Sequence, residues 1–289
     1  MKTLKQIIKA AEKKKVAVGH FNFAEMSVLR AAVDVAEKLK VPIIMGTSES
    51  ERAFMGPDQA VTLVKSLRAM GLPIFINADH TKSLERVREA AAAGYDAILF
   101  DGGSLSFEEN VKLTKEVVEY VKSINPDIIV EGELGYIGSS SKLLKEVPEG
   151  AAITKEQLTT VKEAKEFVKE TKVDMLAPAV GNIHGMLVNA PEPNLDLARV
   201  RAIKKAVGIP LVLHGASGNT DNDVKGAIRG GISIVHVSTE IRAAWRKALN
   251  NSLKVDEEEI APYRILKAPR EVAGEVIEKK LRVFNKLKK

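Results

Sequence analysis

The five histidines are the residues of this 289-residue sequence that point most directly to chemistry. Each follows a short apolar run that predicts a β-strand, namely the first, third, sixth, seventh and eighth of eight such runs: His20, His80, His184, His214 and His236. In a parallel barrel the carboxyl ends of the strands meet on one face, where such enzymes place their chemistry. Imidazole is the commonest metal ligand, and three histidines with one open position form a catalytic zinc site. A structural role accounts for one histidine at such a position but not for five.

Carboxylates occur at the same level of the predicted strands. Asp79 directly precedes His80, Asp101 follows the fourth run, and Glu131 and Glu133 follow the fifth. A single acid in such a place more often caps a helix or pairs with a lysine. Together these acids predict a metal site with supporting carboxylates and a candidate acid/base.

Two segments after the seventh and eighth runs have the composition of an anion site. They are His214-Gly215-Ala216-Ser217-Gly218-Asn219 and Val237-Ser238-Thr239-Glu240. Small residues let backbone N–H groups approach a phosphate, and the helices that begin behind them add positive dipole ends. The loops after strands seven and eight are the usual phosphate position in (β/α)₈ barrels. Turn formation and helix capping are the alternative explanation for either segment alone.

The elements that must position these residues alternate along the chain. The apolar runs are residues 16–18, 41–45, 73–76, 97–100, 128–130, 173–177, 210–213 and 232–235. Segments of helical period lie between them at 26–40, 84–93, 107–121, 161–171, 195–206 and 221–229. Eight strands that alternate with helices predict an α/β fold, the (β/α)₈ TIM barrel, with a doubly wound open sheet as the competing architecture. We expect residues 1–289 to form a single domain, with the barrel at about 14–250 and a C-terminal helix at about 270–287.

Composition excludes several other classes of protein. The sequence is 45% hydrophobic and has no cysteine, which excludes a disordered chain, disulfides, thiolate nucleophiles and cysteine-based metal clusters. No apolar run approaches the roughly 20 residues of a membrane span, and residues 1–5 show no signal core, so we expect a cytoplasmic protein without a membrane partner. The net charge of +6 comes from positive residues interleaved with negative ones, which disfavours a nucleic-acid partner.

Four motifs resemble the class II, metal-dependent fructose-bisphosphate aldolases. They are Ala78-Asp79-His80, Glu131-Gly132-Glu133-Leu134-Gly135, Gly181-Asn182-Ile183-His184-Gly185 and Leu213-His214-Gly215-Ala216-Ser217-Gly218. Their order, spacing and place after the strands agree with that family from about residue 16 to 245. Each motif is short, but the combination is specific.

The resemblance implies a cofactor and roles for individual residues. Zinc, or another divalent transition metal, is expected at His80, His184 and His214. Asp79 matches the acid/base that exchanges a proton with the C4 hydroxyl, and Glu133 matches a carboxylate near the metal that can serve an alternate metal position. Substrate and phosphate contacts are implied at Asn22, Ser48, Gly185, Gly215, Ser217, Ser238 and Thr239. Members of the family often bind a monovalent cation near the phosphate, and many are dimers or tetramers, so we expect a homo-oligomer.

The sequence also departs from the family pattern. In the loop after the Glu-Leu-Gly motif, where members commonly carry acids, this chain has Gly138-Ser139-Ser140-Ser141-Lys142, and Glu146 or Glu149 could substitute. His236 replaces the asparagine of the eighth strand, and His20 precedes Phe21-Asn22. Further candidates for the site are His20, Asp101 and His236, with Arg264 and Arg270 for the distal phosphate.

The expected reaction is the reversible cleavage of fructose 1,6-bisphosphate to dihydroxyacetone phosphate and glyceraldehyde 3-phosphate. Cleavage between C3 and C4 leaves a carbanion beside a carbonyl, which a Lewis acid stabilises without a lysine Schiff base. Another phosphorylated ketose, such as tagatose 1,6-bisphosphate, is the nearest alternative, since the two differ only in stereochemistry at C4. A metal-dependent hydrolase barrel also clusters histidines but usually has a His-x-His pair after strand one, where this chain has His20-Phe21-Asn22.

Overall fold

The computed structural model describes residues 2–138 and 141–288. Its strands are β1 (Val18–Asn22), β2 (Ile43–Thr47), β3 (Ile74–Thr81), β4 (Ala97–Phe100), β5 (Ile129–Leu134), β6 (Leu143–Leu144), β7 (Met175–Pro178), β8 (Met186–Leu187), β9 (Leu211–Leu213) and β10 (Ile232–His236). Eight of them are parallel and close into a barrel in the order β1-β10-β9-β7-β5-β4-β3-β2, while β6 pairs with β8 outside it. The (β/α)₈ prediction is therefore confirmed, and the open-sheet alternative is excluded.

The helices surround the barrel and close its amino-terminal end. They are α1 (Leu4–Lys14), α2 (Met26–Leu39), α3 (Glu49–Met55), α4 (Pro57–Ala69), α5 (Leu84–Ala93), α6 (Phe107–Ile124), α7 (Val161–Thr171), α8 (Leu197–Val207), α9 (Asp221–Gly230), α10 (Thr239–Val255), α11 (Pro262–Ile265) and α12 (Lys267–Phe284). None of these helices is long and apolar enough to cross a lipid bilayer.

Side chains on the strands alternate between the interior of the barrel and the surrounding helices. On β3, Ile74 and Ile76 belong to the core between strands and helices, whereas Phe75 belongs to the core inside the barrel. Asn77 and Asp79 also face the interior, because they lie two and four residues after Phe75 on the same strand. Every second residue of a strand thus reaches the interior, and the interior changes from apolar to polar toward the carboxyl ends.

The apolar floor of the barrel is sealed by α1. Leu4, Ile8 and Ala11 recur at helical spacing and form one buried face. They pack against at least one inward residue from each of the eight barrel strands: Val18, Ile44, Phe75, Ala97, Ile129, Met175, Val212 and Ile234. The polar residues above this layer are therefore closed off from solvent at the amino-terminal end.

The strands differ from the predicted runs mainly at their carboxyl ends. β1 begins at the last residue of the predicted run 16–18 and continues to Asn22, and β3 continues to Thr81. His20, His80 and His236 therefore lie within their strands rather than beyond them. The strands continue to pair beyond the apolar runs, as between His20 and His236. There, polar residues that face inward still alternate with buried residues that face outward. The C-terminal helix α12 also begins and ends about three residues before the predicted bounds.

The packing of α12 against the barrel gives a first prediction. Leu281 is fully buried, and Leu287, just beyond the helix, is 37% exposed. We expect Leu281→Ala to lower the free energy of unfolding by about 2–5 kcal/mol, because it removes buried methyl groups and leaves a cavity. The matched change Leu287→Ala should cost less than about 0.5 kcal/mol in urea unfolding. Equal losses in the two variants would contradict this account of the packing.

Candidate active site

A cavity of about 350 Å³ opens at the carboxyl ends of the barrel strands. Most of the residues that the sequence singled out line it: Asn22, Ser48, Asp79, His80, Asp101, His184, Gly185, His214, Gly215, Ser217, His236, Ser238 and Thr239. His20 and Glu133 are buried beside it and contact residues of this set. The strand ends therefore bring together side chains that are far apart in the sequence.

Three imidazoles form the centre of the cavity. One ring nitrogen each of His80, His184 and His214 lies within 4.8 Å of the corresponding nitrogen of the other two. The ring centroids are 4.6 to 5.9 Å apart, and the rings are inclined to one another by 69° to 81°. Rings that meet edge to face can direct their nitrogens toward a common point, as a metal ion requires.

Each of these rings is held through one nitrogen. His80 Nδ1 lies 3.0 Å from the carboxylate of Asp101, His184 Nδ1 lies 2.8 Å from the carbonyl of Gly138, and His214 Nε2 lies 2.8 Å from Glu131. Such contacts fix the tautomer and leave the second nitrogen of each ring for a ligand bond. The donor set therefore fits a divalent ion of the zinc type, which takes three histidines and keeps one position open.

The backbone at His80 is unusual in a way that serves this arrangement. His80 has a φ of 46°, in the left-handed region that residues other than glycine seldom adopt. It lies where the pairing of β3 with β4 shifts register between Ala78 and Thr81. A local irregularity of this kind re-aims side chains, and it allows Asp79 and His80, which are adjacent in sequence, both to line the cavity.

The charges of the cluster shift the pKa values in opposite directions. Burial would lower the pKa of His80, but the carboxylates of Asp79 and Asp101 are among the groups that raise it to about 10. Burial and the positive charge of His80 lower the pKa of His184 to about 3. Burial, reinforced by the negative charge of Asp101, raises the pKa of Glu133 to about 8. Because histidine binds a metal as the neutral ring, a bound cation competes with these protons.

Asp79 is a buried carboxylate that stays ionised. Its Oδ2 accepts a hydrogen bond of 2.9 Å from the Asn22 amide, while its Oδ1 has no hydrogen-bond partner among the described residues. Burial alone would raise the pKa of Asp79, but the positive charge of His80 and the contact with His236 hold it well below its ordinary value. Asp79 can therefore accept a proton at neutral pH.

Two residues that the sequence analysis did not single out support Asp79 and Asn22. Glu51 accepts from the Asn22 amide at 3.0 Å and from the Ser48 hydroxyl at 2.9 Å, so Ser48 lines the cavity with its hydroxyl already engaged. The buried guanidinium of Arg52 donates to the backbone carbonyl of Asp79 at 3.1 Å. The capping-box pattern from Ser48 to Glu51 was the available signal for the first of these residues.

A group of glycine, serine and threonine residues, here called the cradle, also lines the cavity. Ser217, Ser238 and Thr239 line it at the start of α10, and the backbone N–H of Glu240 donates to the Ser217 hydroxyl at 3.3 Å. Gly215 has a φ of 58°, and a Cβ there would overlap the carbonyl of residue 183. The glycine is therefore required for the close packing of two loops that form the cradle.

Positive side chains also line the cavity, although they differ from the arginines that the sequence suggested. Arg242, one turn into α10, together with Lys82 and Lys142, contributes to the lining. Arg264 lies in α11, 3.2 Å from Glu259, and Arg270 lies in α12, paired with Asp34. The structure does not bring these two arginines to the cavity, because α11 and α12 belong to the outer layer of helices.

The loop after β5 is described only in part. Gly138 contacts His184, and Ser141 and Lys142 line the cavity. Ser139 and Ser140 lie outside the described residues. Glu146 and Glu149 are exposed and do not contribute to the cavity lining.

The buried guanidinium behind Asp79 gives a second prediction. Arg52 is 5% exposed and also donates to Thr81 Oγ1 at 3.1 Å. We expect Arg52→Met to destabilise the protein by about 2–5 kcal/mol, because it leaves several buried acceptors without donors.

The matched control for this prediction is Arg86→Met, since Arg86 forms an exposed ion pair with Glu89 on α5. Its loss should leave the stability close to that of wild type, because solvent screens an exposed ion pair. Chemical denaturation of both variants measures the difference. An Arg52→Met variant as stable as wild type would show that the guanidinium does not hold this wall of the site.

Comparison with known proteins gives a consistent result. A family model described as fructose-bisphosphate aldolase class-II matches residues 2–289. A fructose-bisphosphate aldolase of Geobacillus stearothermophilus is 34% identical over 286 residues, which cover 98% of this chain and 96% of the relative. A fructose-bisphosphate aldolase of Helicobacter pylori is 35% identical over 263 residues, 83% of each chain.

Solved structures show the same architecture. The YdjI aldolase from Escherichia coli K12 superposes with a TM-score of 0.79 at 28% identity, over 98% of this chain and 96% of that one. A fructose-bisphosphate aldolase from Campylobacter jejuni gives a TM-score of 0.80 at 17% identity, over 98% and 94% of the two chains. At that identity the second structure supports the fold alone.

Proposed function

This chain belongs to the class-II fructose-bisphosphate aldolase family, and we propose that it cleaves fructose 1,6-bisphosphate reversibly to dihydroxyacetone phosphate and glyceraldehyde 3-phosphate. The observation that carries the proposal is the cluster of His80, His184 and His214 beside the ionised, buried Asp79. A metal-dependent hydrolase is disfavoured, because the matched family and relatives are aldolases.

The metal in this proposal is zinc, held by His80, His184 and His214. Three imidazole nitrogens are a donor set that zinc accepts readily, and the two carboxylates and one carbonyl that hold the rings are the usual partners of zinc-bound histidines. Glu133 adds a buried carboxylate whose Oε2 lies 3.6 Å from His80 Nδ1 and has no hydrogen-bond partner among the described residues. It supports the alternate position for the ion that the family resemblance implies.

When bound, zinc supplies a Lewis acid that polarises the ketose carbonyl. Asp79 accepts the proton of the C4 hydroxyl as the bond between C3 and C4 breaks, and it returns that proton in the direction of synthesis. Asn22 holds one oxygen of Asp79, so the carboxylate cannot turn away from the substrate. The buried surroundings exclude bulk water from the proton that is transferred.

The two phosphates of the substrate account for the remaining polar residues of the cavity. The cradle of Gly215, Ser217, Ser238 and Thr239 suits one phosphate through backbone N–H groups, hydroxyls and the start of α10. Arg242 supports charge pairing with a phosphate better than Arg264 or Arg270, since it lines the cavity. Binding energy from these remote groups orients the reacting carbons.

The proposal includes a homo-oligomer in the cytoplasm. Three large apolar side chains are prominently exposed near the ends of α10 and α11: Val255 at 87%, Ile260 at 86% and Tyr263 at 73%. Exposed apolar clusters of this kind often mark an interface between subunits. A cytoplasmic location is consistent with a bisphosphate substrate, because charged groups are costly to move into hydrocarbon.

The test of the function is cleavage of fructose 1,6-bisphosphate and tagatose 1,6-bisphosphate, with the triose phosphates detected by coupled enzymes. We expect cleavage that chelation abolishes and added zinc restores, and the preferred ketose identifies the substrate. His184→Ala should lose both stoichiometric zinc and cleavage, since two remaining histidines hold zinc poorly. No cleavage of either ketose by protein that demonstrably binds zinc would refute the proposed function.

The role of Asp79 gives a separate prediction. Asp79→Asn keeps the shape of the side chain but removes the group that accepts the proton. We expect kcat to fall by about 10²- to 10⁴-fold, while the zinc content of the purified protein stays at the wild-type value. If the variant cleaves the ketose at the wild-type rate, Asp79 does not accept the proton.

A further inference from the structure

His20 and His236 form a stacked pair of imidazoles beside the candidate active site. They face each other across the pairing of β1 with β10, with ring centroids 3.5 Å apart and planes inclined by only 3°. The side chains are 0% and 6% exposed. On β2, a Cβ at Gly46 would overlap the His20 ring. The neighbouring strand β2 leaves room for this ring because residue 46 is a glycine.

The pair reaches Asp79 through His236. His236 Nδ1 lies 3.5 Å from Asp79 Oδ1, at the outer limit of a hydrogen bond. Both atoms are buried, and neither has a hydrogen-bond partner among the residues that the structure describes. Buried polar atoms that lack partners are costly, so two such atoms in close approach favour bonding to each other. An ionised carboxylate only accepts hydrogen bonds, so His236 donates from Nδ1.

The geometry argues against a second metal ion at the same place. His20, Asp79 and His236 offer one ligand atom each within 4.8 Å of one another. An imidazole binds a metal along the lone pair that lies in the plane of its ring. Two rings stacked in parallel hold their lone pairs side by side, so they cannot meet at one ion. The pair of rings is therefore arranged for packing and hydrogen bonding.

We propose that His236 is a positioning residue for Asp79 and that His20 braces His236 by stacking. This inference rests on the proposed function, in which Asp79 accepts the proton of the substrate hydroxyl. Asn22 holds Oδ2 from β1, and His236 holds Oδ1 from β10. One donor on each oxygen fixes the rotation of the carboxylate about its Cβ–Cγ bond. Each oxygen keeps a further lone pair for the substrate proton.

The bracing role of His20 follows from its own contacts. Asn77 Nδ2 lies 3.1 Å from His20 Nε2 and fixes the ring from the β3 side. Gly46 and His236 lie close to the same ring. With its position set by three strands, the His20 ring limits the rotation of His236 about its side-chain bonds. Stacked aromatic rings also gain contact energy beyond their buried area.

The test compares the zinc-loaded variants His236→Leu, His236→Gln and His20→Ala with wild type. For His236→Leu we expect kcat about 10-fold or more below wild type with KM within about twofold, because a misaligned acid/base slows the chemical step without weakening binding. His236→Gln, which keeps a side-chain N–H donor, should recover most of the lost kcat. His20→Ala should lower kcat in the same direction but by less.

Three results would overturn the proposal. One is a kcat for His236→Leu equal to wild type. Another is a raised KM with unchanged kcat, which would make His236 a substrate contact instead. The third is two tightly bound zinc ions per wild-type chain, one of which is lost in His236→Leu. For the kinetic comparison, each variant must have the circular dichroism spectrum of wild type and at least one zinc ion per chain.

A structural readout separates this inference from the proposed function. If wild type cleaves neither ketose, the proposed function fails, and crystal structures of zinc-loaded wild type and His236→Leu still decide the positioning role. We expect the Asp79 carboxylate in one orientation in wild type and in a rotated or divided orientation in the variant. The same single orientation in both would overturn the proposal whatever the substrate is.

Discussion

The histidine cluster depends on the hydrogen bonds that hold one nitrogen of each buried ring. A buried imidazole is costly unless its polar atoms have partners, and a ring with both nitrogens engaged by protein cannot bind a metal. Asp101, Glu131 and the carbonyl of Gly138 resolve this conflict by engaging one nitrogen of each ring. The tautomers and orientations of the three histidines follow from these partners.

The barrel can hold such a polar interior because a layer of apolar side chains closes its amino-terminal end. Along β5, Ile129 lies in the apolar layer, while Glu131 and Glu133 follow on the same inward side at the next two steps. The period of two in a strand places all three side chains on one face. Because α1 closes the amino-terminal end, Glu133 is desolvated, and its burial together with the negative charge of Asp101 raises its pKa.

Much of the architecture was predictable from the sequence. The number of strands, the alternation with helices and the clustering of His80, His184 and His214 follow from local patterns. The partners of these rings do not, since Glu131 and His214 are separated by 83 positions and meet only through the order of the strands. The predicted strands end too early, because the apolar runs stop where the inward residues become polar, as at His20. Arg264 does not line the cavity, and its charge alone reveals nothing about the layer in which its helix lies.

The polar interior has two sides of different chemical character. The acids Asp79, Asp101 and Glu133 belong to or follow β3, β4 and β5, which are neighbours in the barrel. The cradle of small residues follows β9 and β10 on another part of the wall, where helix starts and hydroxyls favour an anion. Of the clustered histidines, His80 lies on β3 beside the acids and His214 follows β9. His184 follows β7, which lies between β9 and β5 in the barrel. In the proposed function, the cradle attracts one phosphate of the substrate and the acids repel it, which orients the hydroxyl that must lose its proton before any bond changes.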